Sequence, residues 1–167
     1  MVESIELDVL VVGTGGAGLR AAIEVDERGA TVVVVSKAPA GMNNATVVSG
    51  GGFRAAIEGL TPEEHYEDTI RVGNGINDRR LVEVFAKDGG ERVLELRRFG
   101  VDMRVYPGGI SVGNGLSLTK PLVKYVRSRG IRIVENVILT KFLVTEGKVV
   151  GAVGYDVLND HPVTFSS

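Results

Sequence analysis

Cysteine is absent from this 167-residue chain, which removes disulfides, thiol catalysis, thiolate zinc sites and iron–sulfur ligation together. Tryptophan is absent too, and aromatic residues make up only 5%. No apolar run approaches the roughly 20 residues that span a bilayer. Glu3, Glu6 and Asp8 stand where a secretory signal would need a basic stretch before an apolar one. Neither sign of charge dominates: 19 Lys+Arg face 21 Asp+Glu, a net charge of −2 with no long run of either. A basic nucleic-acid surface is therefore not indicated. What remains, 44% apolar and 24% charged residues, predicts a soluble folded chain with a real core and no default disorder. The length suits one domain, or one domain plus a small insert, most simply in the cytoplasm.

Glycine is what the chain has in excess, at 23 residues, about twice a usual share of roughly 7%. With no repeat period, such an excess means sharp turns and close backbone approaches. The apolar run Ile5–Val12 reads as one strand buried on both faces. Leu19–Arg28 reads as a helix with Leu19, Ala22 and Ile23 on one face, ended by Gly29. Thr31–Val35 is a second buried strand, completing a βαβ unit over residues 5–36. Thr61-Pro62-Glu63-Glu64 opens a helix. Asn77 or Asp78 caps a further helical stretch to Arg98. Gly89-Gly90 predicts that this stretch is two helices, because each glycine costs about 1 kcal/mol against alanine. An amphipathic helix over Leu118–Arg129 leads to a third strand, Ile131–Val134. Val137–Val144, Val149–Val157 and His161–Phe165 then read as an antiparallel meander. The fold class is α/β: a Rossmann-like parallel sheet with that meander appended.

Gly13-x-Gly15-x-x-Gly18 follows a strand and opens a helix inside the βαβ unit, the context that gives a dinucleotide fingerprint its meaning. Gly13 allows the tight turn, Gly15 lets backbone N–H groups approach a pyrophosphate, and Gly18 allows close helix–strand packing. The phosphates then meet the positive end of the helix. At the end of the second strand, where NAD sites and most FAD sites place a carboxylate, stand Ser36 and Lys37. Lys37 leaves open a 2′-phosphate and hence NADP. The segment between Ser36 and Gly52 is a long loop, and loops of that length inside compact domains are usually functional. Its Gly50-Gly51-Gly52 triplet lies between Val47-Val48 and Phe53 and reads as pinned at both ends.

Residues 41–56, from Gly41-Met42-Asn43-Asn44-Ala45-Thr46 through Gly50-Gly51-Gly52-Phe53, resemble the flavin loop of the succinate dehydrogenase and fumarate reductase flavoprotein family, which L-aspartate oxidases share. The Ser36-Lys37 pair, His65-x-x-Asp68-Thr69, Gly73-Asn74-Gly75-Ile76-Asn77-Asp78-Arg79, Gly115-Leu116-x-Leu118 and Glu135-Asn136-Val137 continue the likeness in order, from Ile5 to about Asp156. The resemblance implies a glutathione-reductase-like FAD-binding fold. It places Gly13, Gly15, Gly16, Ala17 and Gly18 at the pyrophosphate and Ser36 with Lys37 at the adenosine ribose. Asn44, Ala45, Thr46, Gly50, Gly51 and Gly52 fall on the flavin side, and the backbone of Val137 at the adenine edge. Ala45 stands where many respiratory members carry the histidine that binds FAD covalently, so noncovalent FAD is expected.

The division this implies is a fingerprint at 5–36, a flavin loop at 37–60, a helical segment at 61–100, a helix and strand at 116–135 and a meander at 137–167. The whole is expected to be the N-terminal part of an FAD-binding domain, stopping before the last core strand. The family's capping domain, with the residues that bind a dicarboxylate and shuttle its proton, has no counterpart in the sequence. Catalytic residues are therefore unassigned, and activity is expected only of a longer protein. That protein would transfer hydride between flavin and a dicarboxylate, or act as an L-aspartate oxidase. Membrane-associated or homo-oligomeric partners are left open, with a position at the cytoplasmic face of a membrane through such partners. A noncatalytic dinucleotide-binding module, or a chain that completes its sheet with a partner, is the rival outside enzymes. Histidine is sparse: His65 reads as a helix-surface residue and His161 as a turn residue. No metal-ligand spacing emerges.

Overall fold

The computed structural model describes residues 3–166. In chain order the elements are β1 (Glu3–Glu6), β2 (Val9–Val12), α1 (Gly16–Glu27), β3 (Val32–Val35), β4 (Gly52–Arg54), α2 (Pro62–Val72) and α3 (Arg79–Glu95). A 3₁₀ turn (Leu96–Phe99), β5 (Arg104–Tyr106), β6 (Gly109–Ser111), α4 (Gly115–Ser128), β7 (Arg132–Val134), β8 (Val137–Thr145), β9 (Lys148–Asp156) and β10 (His161–Ser166) follow. They divide into two compact units, one formed by the chain up to Val47 together with Thr119 onward, the other by Val48–Leu118.

The first unit holds two sheets. Strands β2, β3 and β7 form the parallel one, ordered β2-β3-β7, with Val9 opposite Val32 and Val35 opposite Val134. The four valines of β3 are buried throughout because it is the central strand. The meander β8-β9-β10 forms the second sheet, joined by β1 running parallel to β10 with Ile5 opposite Phe165. Ile5, Leu7, Val33, Val35, Val137, Val163 and Phe165 meet in one core between the two sheets. Helix α1 buries Leu19, Ala22 and Ile23, the face its periodicity predicts. Asp26 near its end pairs with Arg129 after α4 at 2.7 Å.

Two expectations need correction here. The run Ile5–Val12 is two strands in two different sheets, not one. Leu7 N donates to Ser166 O, whereas Asp8 N and Val9 N both donate to Thr31 O. The carboxylate of Asp8 accepts from Thr31 N at 2.7 Å, so this polar residue marks the corner. Nor is β2 buried on both faces: it is an edge strand, and Val9 and Val12 are 36% and 58% exposed.

The second unit contains α2, α3 and the small antiparallel sheet β4-β6-β5. Helix α2 has the expected start: Thr61 accepts from Glu64 N, Glu64 reaches back to Thr61 N, and Pro62 sits in the first turn. Helix α3, capped by Asp78, runs unbroken from Arg79 to Glu95. The predicted break at Gly89-Gly90 does not occur, and the reason is packing. A Cβ on Gly90 would lie 2.6 Å from the carbonyl oxygen of Ala56, so this glycine admits a close backbone contact that outweighs its poor helix propensity. Among the described residues, no helix is long and apolar enough to cross a membrane.

Candidate functional site, a glycine cradle at the start of helix α1

The chain leaves β2 through Gly13, whose φ of +104° only glycine adopts freely. Gly13 N still donates to Val35 O at 2.8 Å, so the turn begins on the last rung between β2 and β3. A Cβ on Gly18 would collide with the carbonyl oxygen of Gly13. The first turn of α1 is folded directly onto the strand end, as the fingerprint requires. Gly15 is the N-cap in extended conformation, with no side-chain cap, and no acidic residue lies in the first turn. The positive end of α1 is thus not neutralised by a carboxylate of its own helix.

The loop after β3 is tied back onto this turn. Thr14 and Ser36 are buried, at 2% and 4% exposure, and their hydroxyls lie 3.0 Å apart. Gly41 N donates to Thr14 Oγ1 at 3.0 Å, and Gly16 N donates to Thr46 Oγ1 at 3.0 Å. Asn44 Oδ1 accepts from Val47 N at 3.0 Å while its amide donates to Met42 O at 3.1 Å. Glu135 adds a further tie, accepting from Ala40 N at 2.6 Å and from Arg127 at 2.9 Å. The loop is therefore held by side chains from the end of β7, from the turn and from the loop itself.

Six of the anticipated residues, Gly13, Gly15, Ser36, Lys37, Asn44 and Val137, line one cavity of about 290 Å³, with Val12, Ile138 and Leu139 as apolar walls. Gly16 and Thr46 are joined by their hydrogen bond, and Ala17 and Gly18 continue the first turn of α1. Ala45 is exposed between Asn44 and Thr46. Gly50, Gly51 and Gly52 belong to the second unit. There Gly51 has φ +71°, and a Cβ on it would approach Asn114 N to 2.6 Å. Val112 N donates to Gly51 O, and Gly115 N to Ser49 O, each at 2.9 Å.

Two features escape a reading of the sequence alone. Thr14, a variable position of the fingerprint, is the hub of the buried hydroxyl pair, and Glu135 pins Ala40 from 95 residues away. The Ser36 hydroxyl is correspondingly committed to Thr14, which leaves exposed Lys37 as the polar side chain free to reach a ligand at that strand end. The third surprise lies outside the cradle. His65, expected on a helix surface, is 1% exposed within the second unit, with its ring 4.8 Å from that of Phe85. Burial, and secondarily the charge of Arg54, lowers its pKa, against a smaller opposing pull from Asp68.

A family model described as FAD binding domain matches residues 8–111. The chain belongs to this FAD-binding family. It is 35% identical to a subunit of the fumarate reductase (CoM/CoB) of Methanothermobacter marburgensis, over 98% of this chain and 34% of that protein. It is 32% identical to the L-aspartate oxidase of Streptomyces coelicolor over 89% of this chain and 29% of that one. Among solved structures, the Mycobacterium smegmatis Sdh1 complex in the apo form superposes with a TM-score of 0.85 at 31% identity, covering 99% of this chain and 34% of its own. The chain thus spans about a third of the length of the curated relatives it matches. The cofactor of the family is FAD, which overrides the NADP option that Lys37 left open. The cradle fits such a dinucleotide: a left-handed turn at Gly13, a Gly18 whose Cβ would collide with the strand end, an uncapped helix start, and an apolar-walled cavity beside Lys37.

Proposed function

We propose that this chain is the N-terminal FAD-binding part of a flavin-dependent oxidoreductase of the succinate dehydrogenase and fumarate reductase kind, whose substrate is a dicarboxylate. The observation that carries FAD binding is the cradle itself, in which the glycine turn, the bare start of α1 and the Thr14–Ser36–Gly41 ties come together beside one cavity, and the likeness to the Methanothermobacter marburgensis fumarate reductase subunit supports the dicarboxylate. When bound, FAD supplies the hydride-transfer chemistry. The residues of this chain do the holding. The N–H groups at the start of α1, from Gly15 to Gly18, would meet the pyrophosphate, with the helix dipole opposing its charge. Lys37 would reach the adenosine ribose and Val137 the adenine edge. Asn44 and Thr46, with Gly50, Gly51 and Gly52, are assigned to the flavin side. With Ala45 at the position of the covalent histidine, attachment would be noncovalent. The substrate-binding and proton-transfer groups would lie in the remainder of a longer protein, cytoplasmic or held at the cytoplasmic face of a membrane by partner subunits.

The test is a visible spectrum of the chain after incubation with FAD and desalting. Retained flavin bands that acid releases are expected, and substituting Gly15 by valine should abolish them. A chain that stays colourless with FAD, or a variant that binds as well as the parent, would overturn the assignment. The likeness to the Streptomyces coelicolor L-aspartate oxidase supports a second reading, oxidation of an amino dicarboxylate. Turnover of the longer protein with succinate, fumarate and L-aspartate separates the two.

A further inference from the structure

Glu135 follows β7 directly, between two residues whose backbone frames the cradle. Ser36 N donates to Val134 O at 2.8 Å and Val137 N donates to Ser36 O at 3.0 Å. The chain on either side of Glu135 therefore holds the strand end that carries Ser36 and Lys37. The Glu135 side chain instead leaves this rung for the loop beyond. Its Oε1 accepts from Ala40 N at 2.6 Å and from the Arg127 guanidinium at 2.9 Å. Helix α4 packs against the same stretch of loop. Gly41 is buried with φ +77°, and a Cβ on it would lie 3.0 Å from Cγ2 of Val123 and 3.4 Å from Cβ of Thr119. Thr119, Val123 and Arg127 recur at four-residue spacing, so one face of α4 backs Ala40 and Gly41. Just past them, Met42, Asn43 and Asn44 line the cavity of about 290 Å³, whose lining also includes Lys37 and Val137. Glu135 thus ties one part of the cavity's lining to another. The bond to Ala40 N is the part that matters: a carboxylate accepting a backbone N–H makes a charge-assisted hydrogen bond. Arg127 and Glu135 are 57% and 33% exposed, and an ion pair that open adds little.

We propose that Glu135 is a positioning residue for FAD, holding the loop from Ala40 to Thr46 in place for the flavin half of the dinucleotide. This role rests on the FAD assignment made above. The two halves of that site are held by different means. The strand end assigned to the adenosine is fixed by its own backbone bonds and by the buried Thr14–Ser36 hydroxyl pair. The loop assigned to the flavin side hangs on three ties to the rest of its unit: Ala40 N on Glu135, Gly41 N on Thr14 Oγ1, and Thr46 Oγ1 on Gly16 N. The second and third lead to the glycine turn and the start of α1. The first alone ties the loop to the far strand end, 95 residues away in sequence. A loop ordered before its ligand arrives spares the ligand that cost. Freeing Ala40 N removes this order on the flavin side, whereas the adenosine side keeps its own ties.

Calorimetric titration of the 167-residue chain and its variants with FAD, and with ADP as the probe that carries adenosine and phosphates without flavin, tests it. Glu135→Ala should weaken FAD about tenfold, the loss expected for a hydrogen bond to a charged group. ADP should change by less than about twofold, because its contacts lie on the separately held side. In the FAD-free chain, hydrogen exchange of the Ala40 amide should quicken while β3 keeps its protection. Glu135→Gln retains an acceptor for Ala40 N and should bring FAD back to within roughly threefold of the parent. Arg127→Gln should leave FAD within about twofold. Equal weakening of FAD and ADP in Glu135→Ala would reduce the residue to a structural role and overturn the proposal, as would unchanged FAD binding or an Ala40 amide that exchanges no faster. Failure of the parent chain itself to bind FAD would overturn the FAD assignment and the proposal with it.

Discussion

The two compact units fix their loops by different means. In the first, buried polar side chains do it: Thr14, Ser36, Asn44 and Glu135 each engage backbone or hydroxyl partners around the turn into α1. A cradle held this way is preorganised, so a ligand does not have to order it. In the second, glycine and surface charge do it. Gly51 and Gly90 let backbones approach closely, and Arg54, Arg71 and Asp68 pair at the surface, where ion pairs contribute little. The second unit also leaves His65 Nδ1 without a partner and exposes Val72 and Ile76 at 75% and 92%. The contrast teaches where to look for stability and where for adaptability: around the turn into α1 the buried hydroxyls of Thr14 and Ser36 are paired, with Thr119 the exception in that unit, whereas the helical unit leaves His65 Nδ1 and Asn77 Oδ1 unpaired.

The largest test removes Phe165, a fully buried side chain in the core of the first unit. Phe165→Ala should destabilise by about 3–5 kcal/mol. Hydrogen exchange should then show lost protection in the strands β3 and β10 while α2 and α3 keep theirs. Equal loss in both would mean that the units unfold as one and would break the comparison. A smaller effect is expected of Thr14→Val, which leaves Gly41 N and the Ser36 hydroxyl unpaired. It should cost about 1–3 kcal/mol and weaken FAD roughly tenfold, read by quenching of flavin fluorescence. Thr119 supplies the control: its hydroxyl is fully buried and unpartnered, so Thr119→Val should be neutral or stabilising by the same reasoning.

The smallest effect is a pH dependence confined to the second unit. The pKa of His65 is lowered on folding, chiefly by burial, so the unfolded chain binds the proton more readily. Stability is then complete above the ordinary histidine pKa of about 6.5 and falls as pH drops below it toward the folded value. Hydrogen exchange of α2 and α3 between about pH 7.5 and about pH 5.5 should show this slope, and His65→Phe should flatten it. An unchanged slope in the variant would assign it to another group.

Local pattern makes much of the molecule legible. The βαβ unit, the capping box at Thr61 and the amphipathic face of α1 are written in residues adjacent in the chain, where period, propensity and turn chemistry act. The glycine fingerprint is equally readable, because its meaning depends on a strand before it and a helix after it. Local pattern fails where distant segments meet. A break at Gly89-Gly90 leaves out Ala56, whose carbonyl needs the space. A single strand at Ile5–Val12 leaves out Thr31, which captures Asp8. His65 reads as exposed because a lone histidine in a charged helix carries no signal of what packs over it.

The sequence by itself thus determined the parallel βαβ unit and the cradle's glycines, since their conformations follow from residues within a few positions of one another. Tertiary structure alone decided which hydroxyls hold the loop, which glycine a helix tolerates and which histidine is buried. Those outcomes depend on close contacts between segments 20 to 95 residues apart, and the free energy of such a contact belongs to the pair, not to either residue's neighbours in the chain.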